Sequence, residues 1–181
     1  KIRKIDASGN VTTLAGMGVF GVTYGLNAIA QFGFPSGIAV NKNGSIIYVS
    51  DRMTNTIRKI ENGSVTTFAG TVYTPGSNDG QGLAAKFDHP NGLALDDAGN
   101  VLVADEFNNK IRKITPAGLV TTIAGTGSAG YNNGAALSSS FRNPWGVCPL
   151  PNGDILVGDA NNFTIRKISG GLVSVFAGQS G

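Results

Sequence analysis

The sequence predicts an all-β fold built from repeated, four-stranded antiparallel units, and two observations predict it. The segment Ile2-Arg3-Lys4-Ile5 returns three times at intervals of 54 to 55 residues, and each copy is followed by a segment close to Val-Thr-Thr-x-Ala-Gly. Between these segments lie short runs of β-forming residues separated by Gly-containing turns, with no sustained helical periodicity. A fixed period of this length indicates a repeat architecture.

The first strand of each unit is predicted just after a proline, as in Gly37-Ile38-Ala39-Val40. Proline has no N–H to donate, and the start of a strand is where this absence costs least. A turn containing glycine follows, as in Asn43-Gly44, and reverses the chain into a second strand. The same arrangement returns after Pro90 and Pro144.

The second strand ends each time on an aspartate, and the third strand is the Ile-Arg-Lys-Ile segment. Another glycine turn, such as Asn62-Gly63, leads to the fourth strand, the Val-Thr-Thr segment. Four short antiparallel strands repeated in this order describe a blade of a β-propeller. We therefore expect an all-β propeller segment made of four-stranded blades.

These elements together resemble the NHL repeat. The resemblance rests on the Pro-x-Gly start of the first strand, the glycine turn, the Val-Ala-Asp ending, an Asn-rich loop, Ile-Arg-Lys-Ile and Val-Thr-Thr-x-Ala-Gly, in this order three times. The long Gly-rich segment from Gly125 to Gly134 is similar to the long-period variety found in secreted bacterial multidomain proteins. The resemblance implies a six-bladed propeller, a binding function, and an extracellular or cell-surface location.

The repeats predict about three and a half blades, within one NHL-type segment over residues 1–181. We place a half blade at residues 1–16 and full blades at residues 34–70, 89–125 and 143–178. Each blade of a propeller packs on two neighbours, so an open arc leaves apolar end faces in water. We therefore expect the chain to be a fragment of a longer propeller, with assembly of neighbouring copies as the alternative.

Composition narrows the possible partners. The net charge is +3, but eight of the fourteen basic residues belong to the Arg-Lys pairs of the repeat, so no basic patch for nucleic acid is indicated. No apolar run approaches the length of a membrane span, so we expect no membrane insertion. The single cysteine, Cys148, occupies the position of Ala39 and Ala94, and is predicted to be a small buried side chain.

Candidate binding residues lie on one face of the predicted propeller, where the loops after the second strands and the long connectors between blades meet. Loops on a rigid scaffold commonly carry binding sites, and aromatic or Asn-rich surfaces suit a protein, peptide or glycan partner. The candidates are Trp145, His89, Arg142, Tyr24, Tyr73, Tyr131, Asn55, Asn108, Asn109, Asn161 and Asn162.

Each candidate also has a structural interpretation. An aspartate and an arginine recur in every full blade, so a role in the framework explains them better than a role in binding. Asparagine commonly forms turns, Trp145 can pack between blades, and His89 is the chain's single histidine. The framework residues are Asp51, Asp105, Asp159, Arg58, Arg112 and Arg166.

Three functional hypotheses follow, and the first is favoured. It is a non-enzymatic binding or assembly scaffold without a cofactor. The second is a propeller enzyme of the lyase or lactonase type with an axial metal. A zinc site needs several histidines, and a calcium site remains possible but no set of oxygen ligands supports it. The third is RNA binding, which the acidic residues of the candidate loops disfavour.

Overall fold

The structure, a computed structural model, describes residues 1–179 and contains four antiparallel sheets in that range. The first sheet has two strands and the other three have five strands each. The strands of the first sheet and of the second are β1 Ile2–Ile5, β2 Val11–Ala15, β3 Gly25–Leu26, β4 Pro35–Val40, β5 Ile46–Asp51, β6 Thr56–Glu61 and β7 Ser64–Ala69.

The third and fourth sheets repeat the second. Their strands are β8 Gly80–Gln81, β9 Pro90–Leu95, β10 Val101–Asp105, β11 Lys110–Ile114, β12 Leu119–Ala124, β13 Gly134–Ala135, β14 Pro144–Pro149, β15 Ile155–Asp159, β16 Thr164–Ser169 and β17 Leu172–Ala177. Single 3₁₀ turns lie at Arg52–Thr54, Gly82–Ala84, Ala136–Ser138 and Ala160–Asn162. The all-β prediction and the propeller segment of about three and a half blades are confirmed.

Each full sheet carries one strand more than the sequence predicted. In the second sheet the order is β3-β7-β6-β5-β4, so the two-residue strand β3 lies outside the four expected strands. The same outer strand returns as β8 and β13. It comes from the connector, the segment joining the fourth strand of one blade to the first strand of the next. Two residues are too few to give an alternating pattern, which is why the sequence did not reveal it.

Neighbouring sheets pack face to face through apolar side chains. Between the second and third sheets lie Ala39, Tyr48, Leu93, Val101 and Val103, among others. The inner strands β4, β9 and β14 pack on one another in order. This close approach explains the Pro-x-Gly motif, since a Cβ added at Gly37 would meet the carbonyl oxygen of Asn91 in the next sheet.

The two ends of the stack are exposed. Ile38 of β4 is 50% exposed, whereas its equivalent Leu93 in β9 is 9% exposed, because the two-stranded first sheet does not cover β4.

The prediction for Cys148 was wrong, since this side chain is exposed. It lies in β14 of the last sheet, and no further sheet covers it as the third sheet covers Ala39.

Candidate functional site

The framework under the candidate face is a buried ion pair in each full blade. Asp51 contacts Arg58 at 3.4 Å, Asp105 contacts Arg112 at 2.6 Å and Asp159 contacts Arg166 at 2.8 Å. Each pair joins the end of the second strand to the third strand, and each side chain is buried. An isolated charge would not be tolerated there, so the recurrence of both residues has a direct physical cause.

These ion pairs also hold the connectors in place through hydrogen bonds to their backbone. The Nη1 atoms of Arg58, Arg112 and Arg166 donate to the carbonyl oxygens of Gln31, Lys86 and Ser140. The aspartates accept backbone N–H groups from the same segments, as Asp105 does from Asp88 at 2.8 Å. The pairs therefore hold the chain just ahead of each first strand, where the candidate His89 and Arg142 lie.

Around the ion pair of the third sheet, Asp105 with Arg112, the pKa values of two aspartates are shifted in opposite directions. Burial raises the pKa of Asp105 to about 6, although the charge of Arg112 opposes the rise. Partial burial acts on Asp79 in the same direction, but hydrogen bonds from Thr122 and Arg112 outweigh it and hold the pKa of Asp79 below its ordinary value. Arg112 thus bridges two carboxylates.

The candidate tyrosines take different positions. The guanidinium of Arg58 lies 4.9 Å from the ring centre of Tyr24, and that of Arg166 lies 4.8 Å from the ring centre of Tyr131. These two rings therefore cover the framework arginines and stabilise them by cation–π contact. Tyr73 is exposed and donates its backbone N–H to the carbonyl oxygen of Thr54.

Four of the candidate asparagines make hydrogen bonds within the framework. Asn108 and Asn162 each donate to the aspartate of their own blade at 2.8 Å and to a connector carbonyl at 2.7 Å. Asn55 and Asn109 adopt left-handed backbone conformations, and their Oδ1 atoms accept the N–H groups of the next blade at 2.9 Å. Asn161 is exposed and donates to Asn143 at 2.8 Å.

A polar and aromatic group lies at the junction of the second and third sheets. Arg52 donates to both carboxylate oxygens of Glu106, at 3.0 and 3.1 Å, and so connects the two blades. Asn91 donates to the same carboxylate at 3.2 Å. Glu106 is almost completely buried. We call the group the junction cluster, and its members are Arg52, Asp88, His89, Asn91, Glu106 and Phe107.

The aromatic half of the junction cluster is partly exposed. The ring of His89 packs on that of Phe107 with centres 4.3 Å apart, and the guanidinium of Arg52 lies 5.3 Å from the Phe107 ring centre. His89 Nδ1 lies 2.7 Å from a carboxylate oxygen of Asp88. A carboxylate accepts a proton donor there, which leaves Nε2 of a neutral imidazole as an acceptor.

Of the junction cluster, only His89 was singled out from the sequence as a binding candidate. The signal was available in the repeat itself, because Arg52 aligns with Glu106 and Ala160, and Phe107 aligns with Met53 and Asn161. Residues that differ between blades at one position are free of the framework's constraints. The pairing of Arg52 with Glu106 joins equivalent positions of adjacent blades, which lie 54 residues apart in the chain.

The remaining two candidates lie apart from the junction cluster. Trp145 is 59% exposed and lines a cavity on the outward face of the last sheet. Arg142 is exposed, and its backbone N–H donates to Asp159 at 2.7 Å. The candidate residues therefore form no single site.

Two further properties concern metals and membranes. Within residues 1–179, no group of three or more His, Cys, Asp or Glu side chains is arranged to hold a metal ion. In the same range, none of the helical turns has the length and apolar character that crossing a bilayer requires.

Comparison with known proteins identifies relatives. The NHL repeat family matches residues 87–114 and 141–168. NHL repeat-containing protein 2 of Bos taurus is 36% identical over 153 residues, which cover 77% of this chain and 21% of that protein. SUPPRESSOR OF QUENCHING 1, chloroplastic, of Arabidopsis thaliana is 31% identical over 148 residues, covering 76% of this chain and 14% of that protein. The chain thus spans about a fifth or less of these relatives' lengths.

Solved structures share the fold at lower identity. An auxiliary nutrient binding protein from Bacteroides ovatus is similar with a TM-score of 0.71 and 22% identity, over 94% of this chain and 42% of that one. A gluconolactonase from Xanthomonas campestris is similar with a TM-score of 0.60 and 12% identity, over 81% of this chain and 48% of that one. At these identities the likeness concerns the fold alone.

Proposed function

Because the chain belongs to the NHL-repeat β-propellers, we propose that it is a non-enzymatic binding scaffold whose loop face holds a protein, peptide or glycan partner. The observation that carries the proposal is the junction cluster, which differs from the repeating framework and combines an exposed aromatic ring with paired polar groups. The likeness of fold to an auxiliary nutrient binding protein of Bacteroides ovatus supports binding as the general role.

The chemistry of the junction cluster fits a hydroxyl-rich ligand, and a glycan fits best. Within residues 1–179, the hydrogen bonds of Arg52 use Nε and Nη2, which leaves Nη1 as a donor. In the neutral imidazole, His89 donates through Nδ1 to Asp88, which leaves Nε2 as an acceptor. Phe107 is 46% exposed beside them. A donor, an acceptor and an apolar ring at one place suit sugar hydroxyls next to a sugar C–H face.

The alternative functions have less support. Arg52, the cation nearest to the exposed ring, is neutralised by Glu106, so the cluster offers little attraction to an RNA phosphate. The likeness to the gluconolactonase is one of fold and adds no catalytic residue to this chain. An extracellular or cell-surface location is part of the proposal. It is supported by the likeness to the Bacteroides nutrient binding protein and by the long connectors.

The experiment is a titration of the chain with a panel of neutral oligosaccharides, with heat of binding as the readout. Phe107→Ala should weaken binding by roughly five- to tenfold, because one aromatic contact is worth about 1 kcal/mol. Asn161→Ala is the matched control, since Asn161 occupies the equivalent position in the last blade and should leave affinity unchanged. The assignment of a glycan fails if no oligosaccharide binds, and the assignment of the junction cluster as the site fails if both variants bind as tightly as the unchanged chain.

A further inference from the structure

The outer edge of the third sheet holds a carboxylate in a defined set of hydrogen bonds. Asp79, which lies just ahead of β8, accepts a hydrogen bond from Nη2 of the buried Arg112 at 2.7 Å. The same carboxylate accepts the backbone N–H and the hydroxyl group of Thr122, each at 3.0 Å. One charged side chain and two neutral groups therefore donate to a single carboxylate.

The second sheet carries the same two donor residues without the acid. Arg58 and Thr67 face each other in register on β6 and β7, as their counterparts do on β11 and β12. Tyr24 directly precedes the glycine of the outer strand β3, which is the position that Asp79 takes ahead of β8. The residue that would accept from these donors is thus replaced by an aromatic one.

Both donors of the second sheet have unused hydrogen-bonding capacity. Within residues 1–179, the buried Oγ1 atom of Thr67 has no hydrogen-bond partner. Nη2 of Arg58 donates to the carbonyl oxygen of Thr23 at 3.4 Å, whereas Nη2 of Arg112 has two partners, at 2.9 and 2.7 Å. Burial lowers the pKa of Arg58, although the charge of Asp51 opposes the fall. A buried hydroxyl group and a buried cation with donors to spare favour an anionic oxygen ligand.

The last sheet shows that the blade does not require this threonine. Val175 occupies the equivalent position, opposite Arg166 in register. The acid is replaced there by Asn133, whose Oδ1 atom accepts from Nη2 of Arg166 at 2.6 Å. The last sheet therefore lacks both the acid and the hydroxyl group. Of the three full sheets, the second is the one that keeps the hydroxyl group of Thr67 without an acid to accept from it.

A cavity of about 390 Å³ lies beside these donors. It is lined mainly by apolar surface, and its lining residues include Tyr24, Thr67, Val72 and Leu83. Small-molecule sites have volumes of about 300–1,000 Å³, so the cavity is large enough for a small ligand. Tyr24 is 45% exposed, and its ring also lies on the guanidinium of Arg58. The cavity thus combines apolar walls with two underused donors at one end.

We propose that this cavity binds a small aliphatic monocarboxylate. The ring of Tyr24 turns towards solvent, and the carboxylate of the ligand accepts hydrogen bonds from Thr67 and Arg58, as Asp79 accepts from their counterparts. The aliphatic chain of the ligand packs on Val72 and Leu83 and is removed from water. The site lies at the outer edge of the second sheet and is independent of the proposed glycan site at the junction cluster.

The experiment is a titration of the chain with hexanoate at pH 7, followed through the backbone amide signals in NMR spectra. We expect the amide signal of Thr67 to shift with saturation. Hexanamide has the same chain without the charge and should bind at least tenfold more weakly.

The repeat itself supplies the variants. Tyr24→Asp copies the third sheet, places an internal carboxylate on the two donors and should abolish hexanoate binding. Thr67→Val copies the last sheet and should weaken binding at least fivefold. The matched control is Thr122→Val, which should leave hexanoate affinity unchanged because Asp79 already occupies the equivalent position.

The inference is overturned if hexanoate leaves the amide signal of Thr67 unchanged. It is also overturned if hexanamide binds as tightly as hexanoate, because the cavity would then recognise the aliphatic chain alone. Unchanged hexanoate affinity in Tyr24→Asp or in Thr67→Val would place the carboxylate elsewhere and would contradict the inference as well. The amide spectrum of each variant shows in the same measurement that the variant is folded.

Discussion

Nη1 of Arg112 donates to Oδ2 of Asp105 at 2.6 Å, and both side chains are completely buried. The pair joins two strands of the third sheet and holds the connector through further hydrogen bonds to Asp88 and Lys86. The recurring aspartate and arginine are thus supports for the loop face. This arrangement gives the rigid base on which the variable residues of the junction cluster are presented.

Removing one partner of the Asp105–Arg112 ion pair should destabilise the protein strongly. Asp105→Ala removes one of the two carboxylates that the buried guanidinium of Arg112 contacts and leaves only Asp79, which costs up to about 3–5 kcal/mol. The free energy of unfolding in urea at pH 7 measures the loss. The control is Asp97→Ala, which breaks an exposed ion pair with Lys42 and should cost under about 1 kcal/mol. Equal losses in the two variants would contradict the framework role.

Asp79 should make the protein sensitive to acid. Its folded pKa is lowered below the ordinary value of 3.8, so its contribution to stability is complete above that pH and is lost as the pH falls through the lowered folded pKa. On acidification below about pH 4, the free energy of unfolding of Asp79→Asn should therefore fall less than that of the unchanged chain. Urea unfolding at a series of pH values measures the difference. Parallel pH profiles below that value would show that Asp79 does not contribute.

Phe163 should be a site of stored backbone strain. It adopts φ 59° and is 76% exposed, whereas the equivalent positions hold Asn55 and Asn109. A left-handed conformation costs a side chain other than Gly or Asn about 1–2 kcal/mol. Phe163→Asn should therefore raise the free energy of unfolding by about 1 kcal/mol. Thermal unfolding checks the sign, and a lower midpoint would mean that packing of the Phe163 ring outweighs the strain.

The sequence predicted the repeating parts of the molecule well. The Ile-Arg-Lys-Ile and Val-Thr-Thr segments form the third and fourth strands of the full blades. They were predictable because they recur at a fixed period and are separated by glycine turns. The framework role of Arg58 was also foreseeable, since a buried charge needed once in every blade recurs with the blade. The outer strand β3 was not foreseeable, because pairing with β7 depends on where the connector runs.

The candidate site was harder to predict because its contacts link neighbouring blades, between residues far apart in the sequence. Asn109 was expected on the surface as a binding residue, but it accepts the N–H of Asn143 in the next blade, 34 residues away. The link between Arg52 and Glu106 spans 54 residues. Such contacts depend on blade stacking, which the sequence specifies only through side-chain volume and close-packing glycines.

A partner bound at the junction cluster should slow the exchange of backbone amide hydrogens there. Backbone amide hydrogen exchange is measured with and without a bound oligosaccharide. We expect slower exchange confined to residues 52–55, 88–91 and 106–109. Protection confined to the opposite turns at residues 42–45 and 97–100, with the junction cluster unchanged, would contradict this expectation.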